Sequence, residues 1–327
     1  MAQPTTPSAH SERKRASTTS IVLAFASVYF FWGSTYTAIR IGTAEMPAPL
    51  LAGTRYVIAG AVLLAWCRWR GLRLLGSTRS MFTLSLIGLL LLGGGNVSLV
   101  YAEKTLPSGL SSLLFAATPL YVTLIEMLLP RGEQLSIRGW LGLCLGFAGL
   151  AALTVPSIAS GLHGDSAVIW AVAVLLFGAL SWAVGSVVSR RARLPLHSLV
   201  AAAWQMLVAG VCCTALGTAL GQWPQFHLNA NSVGSLAYLV TGGSLLGYTC
   251  FIYLLEYVPV AKVSSNAYVN PLVAVLIGIL FLHERPRAAE FAGMAAIVIA
   301  VFLLTTASVK AKASTAPVEQ FEQVPAE

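Results

Sequence analysis

Charge is scarce in this chain: Asp, Glu, Lys and Arg make up 10% of 327 residues, and there is a single aspartate, Asp165. A soluble domain carries roughly 25% charged residues, so the polar side chains present are too few to cover a water-soluble globule of this length. A soluble enzyme and a disordered chain are excluded on that ground. Cysteine is sparse as well. Cys67, Cys144, Cys212, Cys213 and Cys250 lie in or at the ends of apolar segments without any CxxC spacing. That removes a disulfide-stapled secreted domain and leaves the thiols as small buried apolar residues. His163, His197, His227 and His283 fall in loops or at segment ends, so no metal-ligand set is expected. A GxxxxGK[ST] phosphate loop is missing too, and with it the means to hydrolyse ATP.

What the chain has in abundance is apolar: 57% of its residues come from the set AVILMFWYC. A helix needs ~20 such residues to cross the hydrocarbon. Ten segments qualify, at about 21–41, 48–66, 81–101, 107–129, 135–155, 167–189, 196–219, 233–255, 258–282 and 287–308. The expected fold class is an all-α polytopic membrane protein. The formal charge of +8 is then a topology signal. With the N-terminus cytoplasmic, fifteen of the twenty Lys and Arg residues fall inside, and Arg40, Arg55, Lys104, Arg285 and Arg287 fall outside or near the outer face. Cytoplasmic loops collect Lys and Arg, so both termini are expected inside. Basic and aromatic residues are nowhere clustered as a nucleic-acid surface requires, so the bilayer, and no nucleic acid, is the expected partner. Residues 1–20 and 309–327 are polar and are expected to be disordered cytoplasmic ends, with no cleavable signal peptide.

The chain repeats itself. Trp32, Arg40, Ala59 and Gly60 recur at Trp182, Arg190, Ala209 and Gly210, shifted by 150. Gly95, Tyr101, Pro107 and Pro119 recur at Gly247, Tyr253, Pro259 and Pro271, shifted by 152, and Glu133, Gly142 and Thr154 recur at Glu284, Gly293 and Thr305, shifted by 151. Two five-helix halves follow, 21–155 and 167–308, joined by a linker over 156–166. Five is odd, so the second half enters the membrane from the opposite side. An inverted 5+5 repeat of this kind is how many secondary transporters alternate access to a central cavity.

Several stretches resemble a known family. Trp32-Gly33-Ser34-Thr35-Tyr36 and Ser181-Trp182-Ala183-Val184-Gly185-Ser186 look like its first-helix motif in each half, as do Tyr268-Val269-Asn270-Pro271, Gly132-Glu133 and His283-Glu284 at their places. The chain is similar over about 21–308 to the EamA branch of the drug/metabolite transporter superfamily. The resemblance implies a ten-helix inner-membrane exporter of amino acids, other metabolites or toxic compounds. It implies no cofactor, and a cavity lined from the first, third, fourth, sixth, eighth and ninth helices.

The candidate site residues follow from their depth. Pro119 and Pro271 each lie 12 residues beyond a helix-starting proline, ~18 Å along the helix and near the midplane. A proline there frees the carbonyl four residues earlier, that of Phe115 or Ala267, for a ligand or a hinge. The symmetric placement favours a hinge. Asn266 and Asn270 share one face of the ninth helix, with Lys262 a turn nearer the cytoplasm. Amides in hydrocarbon must face a neighbour or a wet cavity, while Lys262 is expected to snorkel. Trp32 and Trp182 lie 11 and 15 residues into their spans, too deep for an interfacial belt. With Tyr36 and Ser186 they are expected to serve packing or an aromatic cavity wall. Tyr101 and Tyr253 are candidates for the belt or the cavity. Arg55 sits about 6 residues from the outer end of the second segment, ~9 Å deep. It is expected to snorkel toward Glu45, with a contact to an anionic substrate as the alternative. Glu126, beside Arg131, reads as a local ion pair or as a proton-coupling carboxylate. The GxxxG pairs Gly142/Gly146 and Gly217/Gly221 permit close helix approach, within the chain or in a homodimer.

Three rival functions compete with this reading. An intramembrane serine protease lacks a transmembrane histidine, and the Leu106-Pro107-Ser108-Gly109 stretch lacks the usual first glycine. A channel lacks a charged ring or a repeated filter. A flippase for a lipid or lipid-linked amphiphile remains the alternative to a small-molecule transporter.

Overall fold

A computed structural model describes residues 17–129, 133–134, 136–162, 166–192, 194–258, 260–263, 266–283, 288–306 and 310–311. Arg131, Gly132, His163, Asp165, Arg193, Pro259, Glu284, Arg285 and Arg287, most of both termini, and the side chains of Glu133, Ala267, Tyr268 and Lys310 lie outside the described part. Besides a short 3-10 turn at Trp223–Gln225, the described residues form ten long helices. They are α1 (Thr18–Thr43), α2 (Ala48–Trp69), α3 (Thr78–Ala102), α4 (Ser108–Leu128), α5 (Ile137–Leu162), α6 (Ser166–Ala192), α7 (Ser198–Ala219), α8 (Ala230–Tyr257), α9 (Val260–Val263 and Asn266–Leu282) and α10 (Ala288–Thr306). Seven are long and apolar enough to span a bilayer, and α5, α9 and α10 carry the shorter apolar stretches Ile137–Gly149, Val269–Leu282 and Phe291–Ala300. The chain is an all-α polytopic membrane protein. Apart from the helices, the described residues show a two-residue antiparallel bridge, Glu133–Gln134 with Lys310–Ala311.

Two boundaries differ from those read in the sequence. Ser17 caps the first helix, its Oγ accepting from Ser20 N at 3.1 Å, so helix begins inside the stretch expected to be disordered. At the other end of the first half, α5 runs on to Leu162 through most of the expected linker.

The two halves carry the same local chemistry. α2 and α7 both end on a glycine with positive φ, Gly71 at 69° and Gly221 at 63°, where a Cβ would strain the left-handed turn. In each, a residue beyond the glycine bonds back to close the cap, Leu72 N to Cys67 O and Gln222 N to Gly217 O, both at 3.0 Å, as in a Schellman motif. Arg40 and Arg190 are equally matched. Arg40 Nη1 donates to the carbonyls of Glu103 and Leu106, and Arg190 Nη1 to those of Leu255 and Glu256. Each arginine thus meets carbonyls at or just beyond the C-terminal end of a neighbouring helix, favourable against the negative end of the helix dipole. That role accounts for Arg40 on the face poor in positive charge.

Equivalent helices meet across a two-fold relation. α2 packs on α7, α4 on α9 and α5 on α10, while α1 packs on α8 as α6 packs on α3. Along the α2–α7 seam residue numbers run in opposite senses: Leu50 lies by Gly217, Gly53 by Thr214 and Gly60 by Leu207. A Cβ on Gly60 would stand 2.8 Å from Leu207 Cγ, and one on Gly210 2.6 Å from the backbone N of Val57. Residues 57 and 60 are the repeat mates of 207 and 210, so the contact is isologous. Two copies of one helix lying antiparallel on each other is the geometry of an inverted repeat. Gly146 and Gly217 of the two GxxxG pairs are occupied inside the chain, against Leu120 and Leu50. Large apolar side chains such as Phe30, Ile58, Phe82, Phe177 and Phe302 face outward, as a lipid-facing surface requires.

Candidate transport cavity

Between the halves lies a central cavity. It is lined from α1 by Trp32, Thr35 and Tyr36, from α4 by Phe115, Thr118 and Pro119, from α6 by Trp182 and Ser186, and from α9 by Asn266, Asn270 and Pro271. α3 contributes Leu92, Asn96 and Leu99, and α8 Gly243, Tyr248 and Phe251. All six helices implied by the family resemblance take part. So does a seventh, α2, with Arg55 and Tyr56.

Departures from regular α-helix position this wall. α1 is π-helical over Val28–Trp32, α3 over Leu89–Asn96 and α8 over Leu239–Tyr248. A π-turn widens the helix and leaves backbone carbonyls for other partners, and such turns recur at functional sites. Here the Gly243 carbonyl accepts from Trp32 Nε1 at 3.1 Å. The glycines in these turns make room for the aromatic floor: Gly95 lies against Trp182 and Gly247 against Trp32, again a repeat pair. On that floor the Trp32 and Trp182 rings meet edge-on at 5.3 Å. Phe251 lies 4.9 and 5.4 Å from them, and Phe115 lies 6.0 Å from Trp182. The tryptophans therefore pack and form cavity wall at once.

Pro119 and Pro271 both reach the cavity but act differently. α4 is broken into Ser108–Phe115 and Thr118–Leu128 just before Pro119. The Phe115 carbonyl is not left open as the sequence implied, because Thr118 Oγ1 donates to it at 2.8 Å. Pro271 instead lies inside continuous helix from Asn266 to Leu282. Asn270 is buried with its Oδ1 unpartnered, and Lys262 is exposed, away from the cavity. Ser186 bonds back to the Trp182 carbonyl at 2.8 Å.

One expected placement is corrected, that of Arg55, and three residues given two readings each lie off the cavity. Arg55 does not snorkel. It is 4% exposed, with Nε donating to Ser244 Oγ at 2.7 Å and its guanidinium carbon 5.0 Å from the centre of the Tyr56 ring. The close approach of Gly243 leaves room for it, since a Cβ there would stand 2.5 Å from Arg55 Nη2. Tyr101 is half exposed at the end of α3, where a belt residue belongs, and the Tyr253 ring lies tilted against that of Tyr257, centroids 4.8 Å apart; neither lines the cavity. Glu126 also lies off the cavity, its Oε2 accepting from Arg191 Nη2 of α6 at 2.6 Å. Both side chains of that pair are partly exposed, at 41% and 21%, so it contributes well under about 1 kcal/mol. Glu126→Gln should leave substrate flux within twofold of wild type and shift thermal unfolding little, which flux and melting assays on the purified variant will check.

Sequence reasoning gave no role to Glu103, which stands at the end of the third segment. It is 0% exposed and lies close enough to Tyr36 of the cavity wall to interact electrostatically. Tyr56 and Tyr248 were missed too. Tyr248 OH donates to Gln205 Oε1 at 2.7 Å, fully buried.

Ten helices in two inverted halves, with buried polar and aromatic side chains converging between them, make the architecture of a multi-pass membrane protein with a central cavity. The chain belongs to the EamA-like transporter family, whose model matches it twice, over residues 19–155 and 169–306. It is 35% identical over 300 residues to YedA of Escherichia coli K12, named as an uncharacterised inner membrane transporter, covering 91% of this chain and 95% of YedA. YvbV of Bacillus subtilis 168, named as an uncharacterised transporter, is 29% identical, covering 90% of this chain and 94% of YvbV. A solved crystal structure superposes with a TM-score of 0.66 at 21% identity, covering 89% of this chain and 98% of that one; at that identity it supports the fold alone.

Proposed function

We propose that the chain is a secondary-active exporter of small metabolites, amino acids or drugs in a bacterial inner membrane, with both termini cytoplasmic, working by alternating access to the central cavity. The isologous α2–α7 contact carries this reading: two inverted halves can exchange conformations and so swap the face to which the cavity opens. The two family-model matches support the division into halves at 21–155 and 167–308. The cavity is narrow, at about 60 Å³, room for a handful of waters when each needs roughly 10–15 Å³. A metabolite enters only when the helices around it move apart, as alternating access requires.

Where transport is driven by protons, Glu103 is the coupling carboxylate in place of Glu126, because it is buried beside the cavity wall. In Glu103→Gln, accumulation against a gradient in response to a pH jump should vanish while counterflow persists. Unchanged pH-driven accumulation would remove Glu103 from the cycle.

The test of the function is counterflow in proteoliposomes with labelled amino acids, organic acids and amphipathic cations. Saturable exchange of one class is the expected result. Exchange confined to compounds bearing a long acyl chain would turn the reading to a lipid flippase.

A further inference from the structure

Arg55 stands out in the described structure as a buried cation without a carboxylate. Its Nε is bonded to Ser244 and its face lies over Tyr56, yet Nη1 is buried with no partner. Among the described residues lining the cavity there is no Asp or Glu, and Arg55 is the single charged one. A guanidinium stays ionised under such conditions, and an ionised group taken out of water without a counter-charge is costly.

The repeat shows what is missing around it. The mate of Arg55 is Gln205, and the mate of Asn96 is Tyr248. In the second half this pair closes on itself, Tyr248 OH donating to Gln205 Oε1. In the first half the short amide of Asn96 replaces the long phenol and Arg replaces Gln. Both Arg55 Nη1 and Asn96 Oδ1 are left unpartnered and buried. Tyr56 OH and Asn270 Oδ1, also cavity-lining, are unpartnered as well. One half of the pseudo-symmetric site is filled by protein; the other presents two groups that can donate to an anion, the Arg55 guanidinium and the Tyr56 hydroxyl, beside two amide oxygens that can only accept.

We propose that this half-site binds the carboxylate of a small organic monoanion, whose apolar or aromatic body lies on the Trp32, Trp182, Phe115 and Phe251 rings. This deepens, and rests on, the transporter reading. A carboxylate supplies the one negative charge Arg55 lacks and matches the guanidinium fork. The same arrangement selects against amines, because an ammonium meets a like charge and finds no acid. Organic cations are therefore poor substrates.

The test is binding to the detergent-purified full chain at neutral pH, followed by tryptophan fluorescence and by calorimetry. The probes are acetate, hexanoate and phenylacetate, each beside its primary amide and its matching amine. At least one carboxylate should bind tenfold or more tightly than its amide, with the amine weakest. Arg55→Gln, which installs the residue found at the repeat mate, should erase that preference, and Arg55→Lys should keep part of it. If Arg55→Gln fails to fold, the carboxylate-to-amide ratio on the wild-type chain still decides. Equal or weaker binding of every carboxylate than its amide, or tightest binding of an amine, overturns the proposal. Carboxylate-selective binding with no counterflow would keep the site and sink the transporter reading. Counterflow of amines or neutral compounds without carboxylate preference would do the reverse.

Discussion

Trp182→Ala should reduce substrate counterflow by tenfold or more, while Trp182→Phe keeps most of it. Trp182 is the residue on which the aromatic floor converges: its ring contacts Trp32 of α1, Phe115 of α4, and Tyr248 and Phe251 of α8. Removing it opens a void among four rings contributed by three other helices, and truncations of buried Trp cost about 3–5 kcal/mol. Folding and binding effects are separable. Melting of the purified variants reports the first, and the ratio of ligand affinities in Ala and Phe variants of comparable folded yield reports the second. Wild-type counterflow in folded Trp182→Ala would show that the ring serves packing alone and that substrate passes elsewhere.

Gly210→Leu should abolish folding of the chain, read as loss of the monodisperse peak in detergent size-exclusion chromatography. The Cβ of any residue at 210 falls 2.6 Å from the backbone N of Val57 and 3.0 Å from the carbonyl carbon of Tyr56. Those are backbone atoms with no rotamer to turn away. Relief comes only from parting α2 and α7, the seam on which the inverted halves join. Overpacking by a few methylenes costs about 1–3 kcal/mol in a core that can adjust; here the adjustment would lift Arg55 and Tyr56 away from α8. Gly234→Leu is the control. A Cβ at Gly234 meets nothing within 4 Å, so that variant should elute and melt as wild type.

The helices, the repeat and its inversion were legible in the sequence because each rests on a pattern the membrane imposes: apolar length, charge asymmetry and matched landmarks. Most helix ends came within a few residues, as with 107–129 against Ser108–Leu128, while α5 runs well past its expected end at 155 to Leu162. The cavity was legible where a polar or aromatic residue sat too deep for the bilayer to tolerate otherwise, as at Trp32, Trp182, Asn270 and the two prolines. What stayed hidden depends on which way a side chain turns. Arg55 read as a snorkelling residue because its depth permits that, and nothing local reveals Ser244 waiting on α8. Glu103 escaped notice because it stands at a segment end, where burial is made by neighbours distant in sequence. Glu126 pairs with Arg191, 65 residues away, where local reading offered Arg131. The π-helical turns also escaped notice, since a run of glycines marks a place of close approach without stating how the helix accommodates it.

The claim on which the rest depends is that one cavity is exposed in turn to both sides of the membrane. Ser186 lies on its wall and is 2% exposed, and a cysteine there, in a chain whose five native cysteines are replaced by serine or alanine, can be probed without knowing the substrate. Small membrane-impermeant thiol reagents would be applied to oriented vesicles from either side. The expected result is labelling of Ser186→Cys from both sides, slowed from each by a bound substrate. Labelling from one side alone, at any temperature or pH that keeps the chain folded, would contradict alternating access.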